Sequence, residues 1–175
     1  MLALNLGKIR TAHEQFERVY APADLELKDE EVEIAAPVAL AFDIYKDKRQ
    51  FRLAGTVKTT LTLHCSRCLE AFAWPVDAAF DLRYQPHADK PAAESEREIE
   101  ADDMTTAFYE RDEIDLGQLM TEQFYLGLPM KPLCTDDCKG LCALCGTNLN
   151  RSTCACETHW EDPRLAALKS LKRES

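Results

Sequence analysis

Eight cysteines in 175 residues are the first feature of this chain that could do chemistry, and their spacing sorts them. Cys65-Ser-Arg-Cys68 stands apart. Downstream, Cys134, Cys138, Cys142 and Cys145 follow at gaps of two or three residues, and Cys154-Ala-Cys156 returns after a loop. Two thiolates at such a gap can chelate one ion, and four make a closed tetrahedral site with no position left for water or substrate. Eight therefore suggest two closed sites holding one or two structural ions, with zinc the first choice. Cys142, Cys145, Cys154 and Cys156 are the natural first set, because the Cys-x-x-Cys-Gly turn and the returning Cys-x-Cys lie eight residues apart. Cys65, Cys68, Cys134 and Cys138 would then form the second, closing a loop of 65 residues between Cys68 and Cys134. Spacing leaves an exchange of partners between the two groups open. Structural zinc contributes folding free energy of order 10 kcal/mol in small modules, so such a staple offsets a modest core.

Other cysteine chemistries fit less well. A redox Cys-x-x-Cys sits at a helix N-terminus after a strand, where the thiolate is stabilised, and here both flanks have strand character. A zinc hydrolase needs an open coordination position and a base, usually among histidines. The four histidines are scattered, with His64 and His159 near cysteines as neighbours rather than ligands. There is no Gly-x-Ser-x-Gly, phosphate-cradling loop or dinucleotide fingerprint, so no catalytic residue and no small-molecule substrate is assigned. A secreted disulfide scaffold would call for a signal peptide and scattered spacings. The N-terminal residues Met1 to Arg10 have no signal-peptide pattern, and no run approaches the roughly 18 apolar residues of a membrane span. The expectation is a cytoplasmic protein without a membrane partner.

Net charge is −10, and it is uneven: Glu94 to Asp115 holds ten acids against Arg97 and Arg111. Such a field repels phosphate and attracts basic proteins, although a solvated loop is the plainer explanation. The opposite sign gathers at Tyr45-Lys-Asp-Lys-Arg-Gln-Phe-Arg52, where Lys46, Lys48, Arg49 and Arg52 could meet RNA or simply form a solvated turn.

The elements that must carry these groups are mostly strands. Residues 2 to 9 suit a short strand, and Thr11 to Tyr20 places Ala12, Phe16, Val19 and Tyr20 at loosely helical spacing. Val32, Ile34, Val38, Leu40, Phe42 and Ile44 alternate as a half-buried strand does, and the polar run Lys46 to Gln50 predicts a hairpin turn. Phe51 to Leu63 continues the alternation with a break expected at Gly55, and Phe72 to Tyr84 reads as a strand bent near Pro75. Short connections predict antiparallel order. Met104 to Tyr109 is a further strand candidate. Asp115 caps a helix bearing Leu116, Leu119, Met120, Phe124 and Leu128 on one face, ended by Pro129. Asp162-Pro163 opens a last helix through Leu165, Leu168 and Leu171. The whole predicts an α+β fold, mainly an antiparallel β meander or partial barrel with a Cys-rich zinc-binding segment. One domain spans 1–175: a β-rich core in 1–85, an acidic linker in 86–102, a strand and helix in 103–130, and the metal-binding segment with its C-terminal helix in 131–175.

Three stretches carry a family resemblance: Leu63-His-Cys-Ser-Arg-Cys-Leu-Glu70, the run from Pro132 through Cys-Lys-Gly-Leu-Cys-Ala-Leu-Cys-Gly-Thr-Asn-Leu-Asn150, and Asp162-Pro-Arg-Leu-Ala-Ala-Leu-Lys-Ser-Leu-Lys172. Together they resemble the YceD family across nearly the whole chain. The resemblance implies a role in accumulating large-subunit ribosomal RNA, hence ribosome biogenesis, with a gene often beside that of a large-subunit ribosomal protein. Some members appear without the later cysteines, which makes Cys65, Cys68, Cys134 and Cys138 the older site and the other four an addition. The expected partner is a basic ribosomal protein or a large-subunit assembly intermediate, with direct ribosomal RNA contact or a thiol redox role at Cys65 and Cys68 as alternatives.

Overall fold

The structure, a computed structural model, describes residues 2–25, 27, 29, 31–87 and 105–156. The largest element of the described chain is one mixed sheet with strand order β2-β4-β5-β6-β7, in which β2 (His13–Tyr20) and β7 (Thr106–Tyr109) are the edges, so the sheet is open rather than closed into a barrel. The alternating stretches become β4 (Val38–Asp47), β5 (Gln50–His64) and β6 (Ala71–Pro86), antiparallel neighbours with continuous registers from Ala39↔Lys58 and from Phe51↔Tyr84. The short β3 (Glu33–Ile34) pairs with Thr62 and Leu61 of β5, beyond the end of the β4 ladder. The β4–β5 turn is tight, with Lys48 at φ 55°.

One sheet face is apolar. Val38, Leu40, Phe42 and Ile44 of β4, Leu53, Val57, Leu61 and Leu63 of β5, and Val76, Phe80 and Tyr84 of β6 are buried at period two. That face is covered by α1 (Leu116–Leu126) and by a two-stranded ribbon, β1 (Ala3–Asn5) with β8 (Glu113–Asp115). Leu116, Leu119, Met120 and Phe124 of α1 join Leu6 and Ile114 in one continuous core with the sheet. Asp115 caps the helix as expected, its carboxylate accepting from Gly117 N–H at 2.8 Å and Gln118 N–H at 3.1 Å. The helix stops at Gly127, before Pro129, and Trp74 Nε1 of β6 donates to the Gly127 carbonyl at 3.2 Å. This bond fixes where the chain leaves the helix on its way to Cys134.

Several expectations are corrected. Thr11 to Tyr20 does not form a helix. It becomes strand β2, paired from His13↔Tyr45 to Tyr20↔Val38, because the open edge of β4 supplies a ladder and Phe16 stacks on Phe42 at 4.8 Å. The mainly antiparallel order holds from β2 to β6, as expected; β7 adds a parallel pairing to β6, and residues 87–105 give the long connection that parallel pairing requires. β5 does not break at Gly55. A Cβ there would lie 2.2 Å from Ala41 O and 2.4 Å from Phe42 Cβ, so glycine answers a close approach of β4. β6 is a single strand through Pro75, as expected. Thr60 gives its carbonyl to Ala35 N–H on the β3 side, which makes Thr60↔Pro75 a non-hydrogen-bonded pair that needs no N–H from proline. Met104, most of the acidic linker of 86–102 and the C-terminal helix lie outside the described residues. Among the described residues no helix is long and apolar enough to cross a membrane.

Gly55→Ala should therefore cost about 3 kcal/mol in urea unfolding, while Thr56→Ala next to it stays within about 1 kcal/mol.

Candidate metal centre

Cys65 and Cys68 stand on the turn between β5 and β6. The turn closes by Leu69 N–H to Cys65 O at 2.9 Å, with Leu69 left-handed at φ 60°. The Cys142–Cys145 turn closes in the same way: Gly146 N–H donates to Cys142 O at 2.9 Å, and Gly146 has φ 70°. Both are one local fold, a knuckle that turns two sulfurs to one side. The second has the glycine that this backbone favours, whereas the first bears strain of about 1 kcal/mol at leucine.

The helix exit carries the chain past the first knuckle, and direct bonds hold it there. Ser66 N–H donates to Pro132 O at 2.8 Å, and Leu141 N–H to Arg67 O at 3.1 Å. The Arg67 guanidinium donates to the carbonyls of Cys138 at 2.8 Å and Asp136 at 3.2 Å. Gly140, at φ 76°, passes so close that a Cβ would sit 3.0 Å from Arg67 O. Four sulfurs converge as a result: Cys65 Sγ is 3.7 Å from Cys138 Sγ, Cys68 Sγ is 3.7 Å from Cys134 Sγ, and all four lie within 4.8 Å of one another. Cys65, Cys68 and Cys138 are buried, with Phe72, Leu133 and Leu141 packed against them.

The second cluster is local. Cys142 N–H donates to Thr147 O at 2.8 Å, and a turn around Asn148 leads back to Cys154 and Cys156. The sulfurs of Cys142, Cys145, Cys154 and Cys156 also lie within 4.8 Å of one another, with Cys145 exposed. These are the two groups that spacing sets apart. His64 is exposed and lies in neither, and His159 is outside the described residues.

The sulfur spacing fits a tetrahedral thiolate ion. Zinc–sulfur bonds of about 2.3 Å place tetrahedral sulfurs about 3.8 Å apart, while a disulfide would bring them to about 2.05 Å. The electrostatics point the same way. Burial works to raise the Cys65 thiol, but N–H groups of Cys68, Cys134 and Arg67 outweigh it and hold the pKa at about 6. Asn150, whose Nδ2 lies 3.2 Å from Cys138 Sγ, is the main influence pulling Cys138 down. Burial and a neighbouring sulfur raise Cys134, while Cys68, despite the N–H of Glu70, is driven to about 12 by burial and the sulfurs around it. The second cluster divides likewise. The Thr147 hydroxyl lowers Cys145 to about 6, N–H groups of Cys145 and Leu144 lower Cys142, and the Cys145 sulfur raises Cys156 to about 12. Cys154 is raised too, the sulfurs of Cys142 and Cys145 and its burial outweighing the N–H of Cys156. Four sulfurs this close cannot all ionise unaided, and a dication removes the repulsion that keeps two of each set protonated.

Arg67, Asn150 and Gly140 support these sulfurs without being ligands. Asn150 also accepts from Lys139 N–H at 2.8 Å, so one amide ties the segment between the second knuckle and Cys154 to a first-cluster ligand. Sequence spacing names ligands and gives no sign of such supports, which come from distant parts of the chain.

With this geometry in hand, comparison with known proteins places the chain. The family model described as large ribosomal RNA subunit accumulation protein YceD matches residues 53–172, a span that includes all eight cysteines. The chain belongs to the YceD family. An Arabidopsis thaliana relative, the chloroplastic large ribosomal RNA subunit accumulation protein YCED homolog 1, is 27% identical over 158 residues, covering 79% of this chain and 49% of its own length. Its Zea mays counterpart is 29% identical over 143 residues, 69% of this chain and 49% of the maize protein. A Mycobacterium leprae protein is 32% identical over 120 residues, 67% of this chain and 52% of that one. This YceD chain thus spans about half the length of the curated relatives it matches. No solved structure matches it.

Elemental analysis of the YceD chain purified without added metal should give two divalent ions, falling to one in Cys65→Ser and in Cys142→Ser. A single ion lost together from both variants would join the eight sulfurs in one site. Asn150→Ala should leave both ions in place but speed loss of the first to a chelator about tenfold, as removal of a ligand's hydrogen-bond partner does.

Proposed function

We propose that the protein is a non-enzymatic, cytoplasmic ribosome biogenesis factor that supports accumulation of large-subunit ribosomal RNA, with zinc as structural staples and a basic ribosomal protein or assembly intermediate as partner. The family match over residues 53–172 carries this reading, together with the description shared by the plant relatives. Two all-thiolate clusters favour closed structural zinc over a metal that needs open positions for catalysis. The charge supports a basic partner: an overall −10, concentrated in Glu94 to Asp115, slows approach of RNA and speeds approach of cations.

Direct contact with ribosomal RNA is the second reading, on the β4–β5 hairpin. Two of its four cations already have internal partners. Lys46 Nζ donates to Ile9 O at 2.8 Å, and Arg52 Nε to Asp81 Oδ1 at 2.7 Å. Lys48 and Arg49 remain without side-chain partners among the described residues, too small a patch to offset the acidic surface. The redox alternative finds no helix N-terminus at Cys65, whose turn joins two strands.

Depleting the protein from its host should lower large-subunit relative to small-subunit ribosomal RNA, with precursors of the large subunit accumulating in a sucrose gradient. The wild-type gene should restore the ratio, and Cys65→Ser with Cys68→Ser should not. An unchanged ratio on depletion would sink the reading. Purification with and without air should return zinc in both cases, and an iron–sulfur absorbance in the anaerobic sample would replace zinc with iron.

A further inference from the structure

Between β6, the β7–β8 corner and α1 lies a cleft of about 480 Å³. Its rim is anionic: Glu110, Glu113 and Glu122 are exposed and Asp115 is half-buried. Arg111 is the cation on the lining and His87 lies 3.8 Å from Glu110, so the carboxylates outnumber the basic groups. The cleft also has a polar group of its own. Tyr84 lines it at 7% exposure, and its hydroxyl has no hydrogen-bond partner among the described residues. Burial first, then the charges of Glu122 and Asp115, push the Tyr84 pKa up, which keeps the hydroxyl neutral. Asp115 spends Oδ1 on the helix cap, leaving Oδ2 for another donor.

Among the described residues Asn148 Nδ2 alone is buried without a partner, so the Tyr84 hydroxyl is reached from the cleft and can bond a group that enters there. A cationic donor is favoured there, because carboxylates line the cleft. It must also reach past the rim on an apolar stem, because Phe108 lines the same cleft. Lysine and arginine side chains have this combination of stem and charged head. Nucleic acid phosphate has the wrong sign, as have the acid-rich residues 94–104 of this chain.

We propose that this cleft seats an extended basic peptide segment of the partner protein, with one lysine or arginine reaching Tyr84 between Asp115 and Glu122. The proposal rests on the reading of a basic protein partner and names where that partner docks.

The test uses the full-length, metal-containing chain and a short labelled peptide of alternating Arg and Gly, followed by fluorescence anisotropy. Binding should be saturable and salt-sensitive. It should weaken about tenfold in Glu110→Gln/Glu113→Gln/Glu122→Gln and about fivefold in Tyr84→Phe, each with an unchanged melting temperature. A control that removes the same charge elsewhere, Glu17→Gln/Asp47→Asn/Asp137→Asn, should stay within about twofold of wild type. Equal weakening in both charge variants, or an unchanged affinity in Tyr84→Phe, would overturn the cleft as the seat while leaving the basic-partner reading standing. Wild-type binding no tighter than that of a Gly-Ser peptide would remove both.

Discussion

Two sulfurs from a β-turn and two from beyond α1 are held within 4.8 Å, and ionised sulfurs at that range repel. The surrounding architecture resolves this conflict. N–H groups from the knuckle and from Cys134 face Cys65, the Asn150 amide faces Cys138, and Arg67 binds the carbonyls that bring the last ligands round. These are geometric commitments made by backbone, and they presuppose sulfur in its charged form. The helix has a part in this as well, since Trp74 fixes its exit and Pro132 O meets Ser66 six residues before Cys138. The β-core and the cysteine clusters are thus mechanically one object. A loosened core would misplace the ligands, and an empty first cluster would leave buried, mutually repelling thiols beside Phe72.

Sequence patterns show the middle of the sheet clearly because its strands obey a period of two on a single buried face. Val38 to Ile44 and Phe51 to Leu63 could hardly be read otherwise. The edges were less legible. β2 buries little beyond Phe16 and Tyr20, so its strand character comes from the ladder that β4 provides rather than from its own side chains. β8 offers a single buried residue, Ile114, inside an acidic run, and its pairing with β1 depends on where α1 places it. Gly55 and Pro75 both have the composition of a break, yet each sits where the sheet can accept it, one under a crowded crossing and one at a pairing that needs no donor. The two cysteine groupings that could hold ions were legible from spacing, whereas Arg67, Asn150 and Gly140 were not, because their roles exist only once residues far apart in sequence meet.

The two clusters divide the work unequally. The first bridges β5–β6 to the segment beyond α1 and lies among apolar side chains, and the second organises about fifteen residues around itself with Cys145 open to solvent. Asn150 couples them. Through it, the segment that the second cluster organises supplies the amide donor of Cys138, so the two clusters touch through an uncharged side chain. At the opposite end of the helix, the N-cap carboxylate of Asp115 serves both the helix and the anionic cleft, which ties the position of that cleft to the helix that also leads to Cys134.

The long separation within the first cluster sets an order of events during synthesis. Cys68 leaves the ribosome 66 residues ahead of Cys134. At about 5–20 residues per second this is an interval of several seconds. Throughout it, the β5–β6 hairpin is a two-thiol half-site, able to hold an ion loosely or to be oxidised, and unable to complete its shell. Residues 142 to 156, by contrast, can gather all four sulfurs almost as soon as they emerge. Newly made chains therefore depend on the reducing state of their surroundings mainly through the early hairpin, and an ion at either cluster would be enclosed only in one late step.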